Sequence, residues 1–87
     1  MTKLIDAHNI GKVLELKLNK VGITTLEELK NLGAEAAFAR VRSIHRNAGR
    51  STLFSIDGAI SGVKWHDIDE KRKKELKVFF NRLVAKR

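Results

Sequence analysis

The chain has no cysteine and no proline, and its apolar runs extend over only a few residues. Without cysteine there are no disulfides, no thiolate metal sites and no cysteine nucleophiles, a composition that suits a reducing cytoplasm. Short apolar runs exclude a bilayer-spanning segment. The start, MTKLIDAHNI, lacks the apolar core and cleavage site of a secretion signal. Alternating β-branched residues are missing as well, so strands have little support and helices fit throughout.

What is present is a globular composition with a basic excess. Eighty-seven residues with 43% hydrophobic content make one domain, residues 1–87, with a single modest core. The formal charge is +8, which favours anionic partners such as nucleic acid, acidic proteins or lipid surfaces. Residues 1–33 contribute a net +1, residues 34–52 a net +3 and residues 53–87 a net +4, so the excess lies in the second half.

Glycines punctuate the helices. HNIGKVLELKLNKVGITT, His8 to Thr25, holds Gly11 and Gly22 at the two ends of a helical pattern carrying Val13, Leu14, Leu16, Leu18 and Val21. A short helix near Lys3–Ala7 precedes it, and Gly22 is placed to be a left-handed C-terminal cap. Thr25 followed by Glu28 makes a capping box for the helix LEELKNL, which ends at Gly33. Ala37, Phe38, Val41 and Ile44 recur at helical spacing, and HRNAGRST reads as the main loop. Ser51 or Thr52 then caps a helix with Leu53, Ile56, Ile60 and Val63 on one face, and Gly58 and Gly62 four residues apart on it. A terminal helix starts near Asp69, with the exposed pairs Glu70–Lys74 and Lys71–Glu75 at i,i+4. The expectation is an all-α fold of about five short helices in one compact domain. Its core is Leu14, Leu18, Leu29, Phe38, Val41, Leu53, Ile56, Ile60, Trp65, Leu76, Phe79, Phe80 and Leu83.

Two places carry binding chemistry. A tight turn that aims a helix N-terminus outward leaves the first amides, around Gly11, Lys12 and Val13, free to hold a phosphate oxygen. Water can satisfy the same amides, with Gly11 present only for packing. Arg40, Arg42, Arg46 and Arg50 are the only bases between Asn31 and Val63, and arginine suits bidentate phosphate or carboxylate contacts. They also fit an ordinary solvated face. His8, His45 and His66 lack metal-ligand spacing, and no Ser or Thr has a nucleophile context. No metal, no cofactor and no catalysis are expected.

The ordered set Asn9-Ile10-Gly11, Val21-Gly22-Ile23, Leu32-Gly33-Ala34, Gly58-Ala59, Gly62 and Trp65-His66 resembles the C-terminal domain of the TfoX family of competence regulators, over roughly Leu4 to Leu83. The resemblance implies an all-α domain related to helix-hairpin-helix modules, acting in transcription regulation and lacking the N-terminal domain of full-length family members. It further implies contact with duplex DNA backbone through main-chain amides, carried by position onto Asn9, Ile10, Gly11, Lys12 and Val13. The expectation is weak, sequence-independent binding, with Lys12 and Lys20 near the turn and with Arg40, Arg46 and Arg50, or the Lys71–Lys77 face, supplying most of the charge. One departure is that His8 and Asn9 stand where such modules usually have a proline and a glycine, although Asn tolerates a left-handed backbone. The alternative is an adaptor that binds a regulatory protein or a second copy of itself, because fold does not settle the partner.

Overall fold

The computed structural model describes residues 2–85. The chain runs through a single 3₁₀ turn (Leu4–Asp6), α1 (Lys12–Lys20), α2 (Leu26–Leu32), α3 (Ala34–Ile44), α4 (Arg50–Ser61), a second 3₁₀ turn (Trp65–Asp67) and α5 (Glu70–Ala85). No strand occurs among the described residues; one isolated antiparallel bridge joins Lys3 to Thr25. The fold is therefore all-α, with five helices.

Most helix ends follow from local chemistry. α1 stops in a Schellman arrangement: Ile23 N donates to Leu18 O at 3.0 Å and Gly22 N donates to Asn19 O at 3.1 Å. That geometry needs a left-handed residue, and Gly22 has φ 86°. Ile23 and Leu18, the two side chains that flank such a cap, are both buried. α2 begins with the complete Thr25–Glu28 capping box. A single glycine, Gly33, closes α2 and opens α3.

Three boundaries differ from the sequence reading. The first element is one 3₁₀ turn, too short to form the arm of a hairpin. α4 starts at Arg50 with Gly49 as its N-cap, ahead of the Ser51 and Thr52 expected there, because Leu53 N already donates to Gly49 O at 3.3 Å. Gly62 lies beyond the helix as a left-handed cap, so it shares no face with Gly58.

The core sits between α3 and α4, with α2 packed on both, α5 covering them and α1 held against α3. Leu18, Leu29, Phe38, Val41, Leu53, Ile56 and Leu76 are fully buried, as expected. Leu14, Ile60, Trp65, Phe79, Phe80 and Leu83 pack against that core while only partly buried. The chain adds Leu4, Ile10, Ile23, Ala34, Ala37, Ala48, Phe54, Ala59 and Ile68, most of them at caps, turns or small-residue contacts. Val13 and Leu16, apolar positions of the α1 pattern outside the expected core, are 68% and 54% exposed, and Ile44 at the end of α3 is 50% exposed. α1 buries only the side that carries Leu18, so a stripe wider than that side reaches solvent.

Burial sets the cost of truncation. Phe38 is fully buried and meets Phe80 at 5.9 Å between ring centroids. Phe38→Ala should destabilise the fold by roughly 3–5 kcal/mol. The half-buried Phe79 should lose roughly 1–2 kcal/mol as Ala, and urea unfolding of both variants measures the difference.

Candidate nucleic-acid interface

The turn before α1 is built around Asn9, whose φ of 69° makes it the one non-glycine residue in the left-handed region among the described residues. Its amide is fully engaged inward. Asn9 Nδ2 donates to Val63 O at 2.9 Å, and Asn9 Oδ1 accepts from Trp65 N at 2.9 Å. The side chain thus ties the turn to the corner between α4 and α5. Gly58 makes this possible, because a Cβ there would press on Asn9 Nδ2 and lie 2.8 Å from Val63 O. Ile10, next in the turn, is a core residue at 5% exposure.

What the turn leaves outward is main chain. Glu15 N donates to Gly11 O at 3.0 Å, closing the first turn of α1. The amides of Gly11, Lys12, Val13 and Leu14 find no acceptor among the described residues. They are the open amides of a helix N-terminus, where the dipole also favours an anion. A shallow groove runs past them, lined by Gly11, Lys12, Leu14 and Lys17 from α1 and by Ser51, Thr52 and Ser55 from α4. The sequence marked Ser51 and Thr52 only as capping candidates and did not mark Ser55. The groove brings them to the turn from about 40 residues away, so no local spacing signals that role.

The four arginines do not join this groove as one patch. Arg40 turns to the end of α1, where its Nη1 donates to Val21 O at 3.4 Å. Arg42 Nη1 donates to Ala48 O at 2.6 Å, and its guanidinium lies 5.6 Å from the Phe80 ring centroid. Arg50 approaches the same ring at 6.0 Å. Arg46 lines a second groove with Ala39, Arg42, Ser43 and Leu83. Lys20 is exposed at the last turn of α1, at the opposite end of that helix from Gly11.

A further ionic site had been absorbed into the basic run of α5. Arg72 makes five hydrogen bonds to carboxylates: two to Asp57 Oδ1, at 2.9 and 2.7 Å, two to Glu35, at 3.0 and 3.1 Å, and one to Glu75 at 3.3 Å. The expected Lys71–Glu75 and Glu70–Lys74 pairs give way to Arg72–Glu75 and Glu70–Lys73, both at i,i+3. Asp57 is 4% exposed, and its Oδ2 has no partner among the described residues. Hydrogen bonds from Arg72 hold the Glu35 carboxyl below the usual carboxylate range, although burial pushes the other way.

Five helices in one globule, with an amide-lined groove and an arginine-walled groove, define a small all-α domain. A family model described as the TfoX C-terminal domain matches residues 1–80. The chain belongs to that family. It is 31% identical over 84 residues to Protein Sxy of Escherichia coli (strain K12), covering 97% of this chain and 40% of Sxy. It thus spans about two-fifths of the length of that relative. It also resembles the crystal structure of an uncharacterized protein from Listeria monocytogenes in a triclinic form, at TM-score 0.94 and 42% identity, covering 95% of this chain and 94% of that one. A tetragonal-form structure of a Listeria monocytogenes protein of unknown function matches at TM-score 0.91 and 43% identity, covering 93% of this chain and 99% of that one.

Two outcomes test these contacts. Arg72→Met strands the buried Asp57 and should cost about 3 kcal/mol by urea unfolding. A carboxylate whose native pKa is lowered contributes stability that is complete above its unfolded value, about 4.3, and is lost as pH falls through the native value. Stability of the parent chain should therefore fall below about pH 4 through Glu35, and that component should be absent from Arg72→Met. Gly58→Ala should cost roughly 1–3 kcal/mol by urea unfolding through overpacking, and adding Asn9→Ala should not restore the parent stability, because the contact with the Val63 carbonyl remains.

Proposed function

We propose that the chain is a non-enzymatic regulatory domain that binds duplex DNA weakly and without sequence preference, through backbone phosphates held at the start of α1. The observation that carries this reading is the groove in which four unpaired amides, from Gly11 to Leu14, face Lys12, Lys17 and the hydroxyls of Ser51, Thr52 and Ser55. Amides at a helix N-terminus, flanked by hydroxyls and lysines, match the chemistry of a phosphodiester oxygen. Membership of the TfoX family supports a regulatory role in competence and a cytoplasmic setting, beside the DNA.

In this arrangement Gly11, Lys12 and Val13 contribute main-chain donors, and Lys12 and Lys17 contribute charge. Asn9 and Ile10 act from inside: the first aims the turn and the second anchors it. Arg46, Arg50, Arg40 and Lys20 add long-range attraction from neighbouring surfaces. A second reading rests on Val13 and Leu16, whose exposure on α1 suits contact with a protein or a second copy. Light scattering at high micromolar concentration tests the second copy, since self-association through α1 produces a dimer, and a pull-down with and without nuclease tests a foreign protein, whose capture resists nuclease.

Titration with duplex DNA should give a dissociation constant on the order of 10⁻⁴–10⁻⁶ M at physiological salt, and affinity should fall as salt rises, with a log–log slope of about −0.9 per phosphate contacted. Lys12→Ala should reduce that slope by about one unit. Gly11 has an extended backbone and open space around its missing Cβ. Gly11→Leu should therefore keep the fold, with the weaker cap costing at most about 2 kcal/mol, while blocking the amides and abolishing binding. Absence of binding at low salt below the millimolar range would overturn the reading.

A further inference from the structure

The arginine-walled groove has chemistry that phosphate binding at α1 does not use. Residues 36–56 and 76–87 contain no Asp or Glu and carry four bases each, so these two segments hold the whole formal charge of +8. The rest of the chain has ten bases and ten acids and balances to zero. The fold packs the described part of the second segment, residues 76–85, with the first, since α3 pairs with α4 and α5 contacts both. Among the described residues, Arg40, Arg42, Arg46 and Arg50 have no carboxylate within ion-pair distance.

The groove measures about 360 Å³ and joins α3 to the last turns of α5. Ala39 and Leu83 give it apolar surface, and Arg42 and Arg46 give it charge. Arg42 is held in place by the Ala48 carbonyl and the Phe80 ring, and Arg50 lies against that same ring. A guanidinium resting on an aromatic face keeps hydrogen-bonding edges free and loses little further rotamer freedom when a ligand arrives.

We propose that this groove docks an acidic segment of a partner protein, with an apolar side chain of the partner against Leu83 and Ala39 and its carboxylates on Arg42, Arg46 and Arg50. Charge complementarity selects an acidic partner. The apolar lining selects a peptide over a phosphodiester chain, whose sugar-phosphate backbone has no side chain to bury there. Arginine beside aromatic and aliphatic surface is also the composition in which interfaces concentrate their binding energy. The docking does not depend on DNA binding at α1. A domain with both contacts bridges an acidic protein to a duplex.

Fluorescence anisotropy at physiological salt, with two labelled peptides of equal negative charge, tests the proposal. One peptide contains only Glu and Ser; in the other a single central Ser is replaced by Leu. The Leu peptide should bind at least about tenfold more tightly. Arg46→Ala, at an exposed position, should weaken it by roughly tenfold. Ser43→Glu, which adds a carboxylate to the groove wall, should weaken it as much. Gly11→Leu should leave peptide affinity unchanged, and saturating duplex DNA should not displace the peptide. Equal affinity for both peptides, an unaffected Arg46→Ala whose circular dichroism matches the parent, or displacement by DNA would each overturn the docking site. Loss of DNA binding alone in Gly11→Leu leaves it standing and concerns only the phosphate reading.

Discussion

The arrangement of helices depends on one guanidinium. Asp57 lies on the inner side of α4 with its carboxylate out of water, a position tolerated only when the charge is paired and hydrogen-bonded. Arg72 supplies both from α5 and, with the same fork, grips Glu35 at the first turn of α3. One side chain thereby sets α5 against the α3–α4 pair at a defined rotation. Replacing the pair by apolar residues is a different experiment from breaking it, since the loss of one partner leaves a desolvated charge. The Phe38–Phe80 contact and the stacking of Arg42 and Arg50 on Phe80 both follow from the position that the clamp gives α5.

A second clasp lies one residue further along α4. Asn9 is left-handed and joined by two hydrogen bonds to the Val63–Trp65 corner, across the bare backbone of Gly58. The side chain at the tip of the turn is therefore occupied, and what faces solvent is the row of amides that begins α1. Positioning by a buried side chain and presentation by main chain are separate tasks here, and they fall on adjacent residues. This division gives the turn a fixed direction relative to α4, whose Ser51, Thr52 and Ser55 complete the groove.

The first turn of α4 divides two surfaces of different chemistry. On one side lie amides, hydroxyls and lysines suited to phosphate. On the other lie arginines over an aromatic ring and an apolar floor, suited to carboxylates attached to apolar residues. The two proposed contacts, with duplex DNA and with an acidic protein, fall on these separate faces.

The parts legible in the sequence were those decided within a few residues. The Thr25–Glu28 box and the Gly22 cap each rest on contacts between near neighbours, so spacing alone reports them. The fold class and the family resemblance followed from the ordered run of such signals. Which side of α1 is covered, and hence that Val13 and Leu16 face solvent, depends on what packs against it. Arg72 looked like one more base in an exposed run, because its partners stand 15 and 37 residues away. The arginines formed one group in sequence and three destinations in space, the Val21 carbonyl, the Phe80 ring and the Leu83 groove. Capping and turn chemistry act through a chain's own neighbours and are written into it directly. Burial and charge pairing act between segments that only the completed packing brings together, so the tertiary structure alone decided where the charge faces.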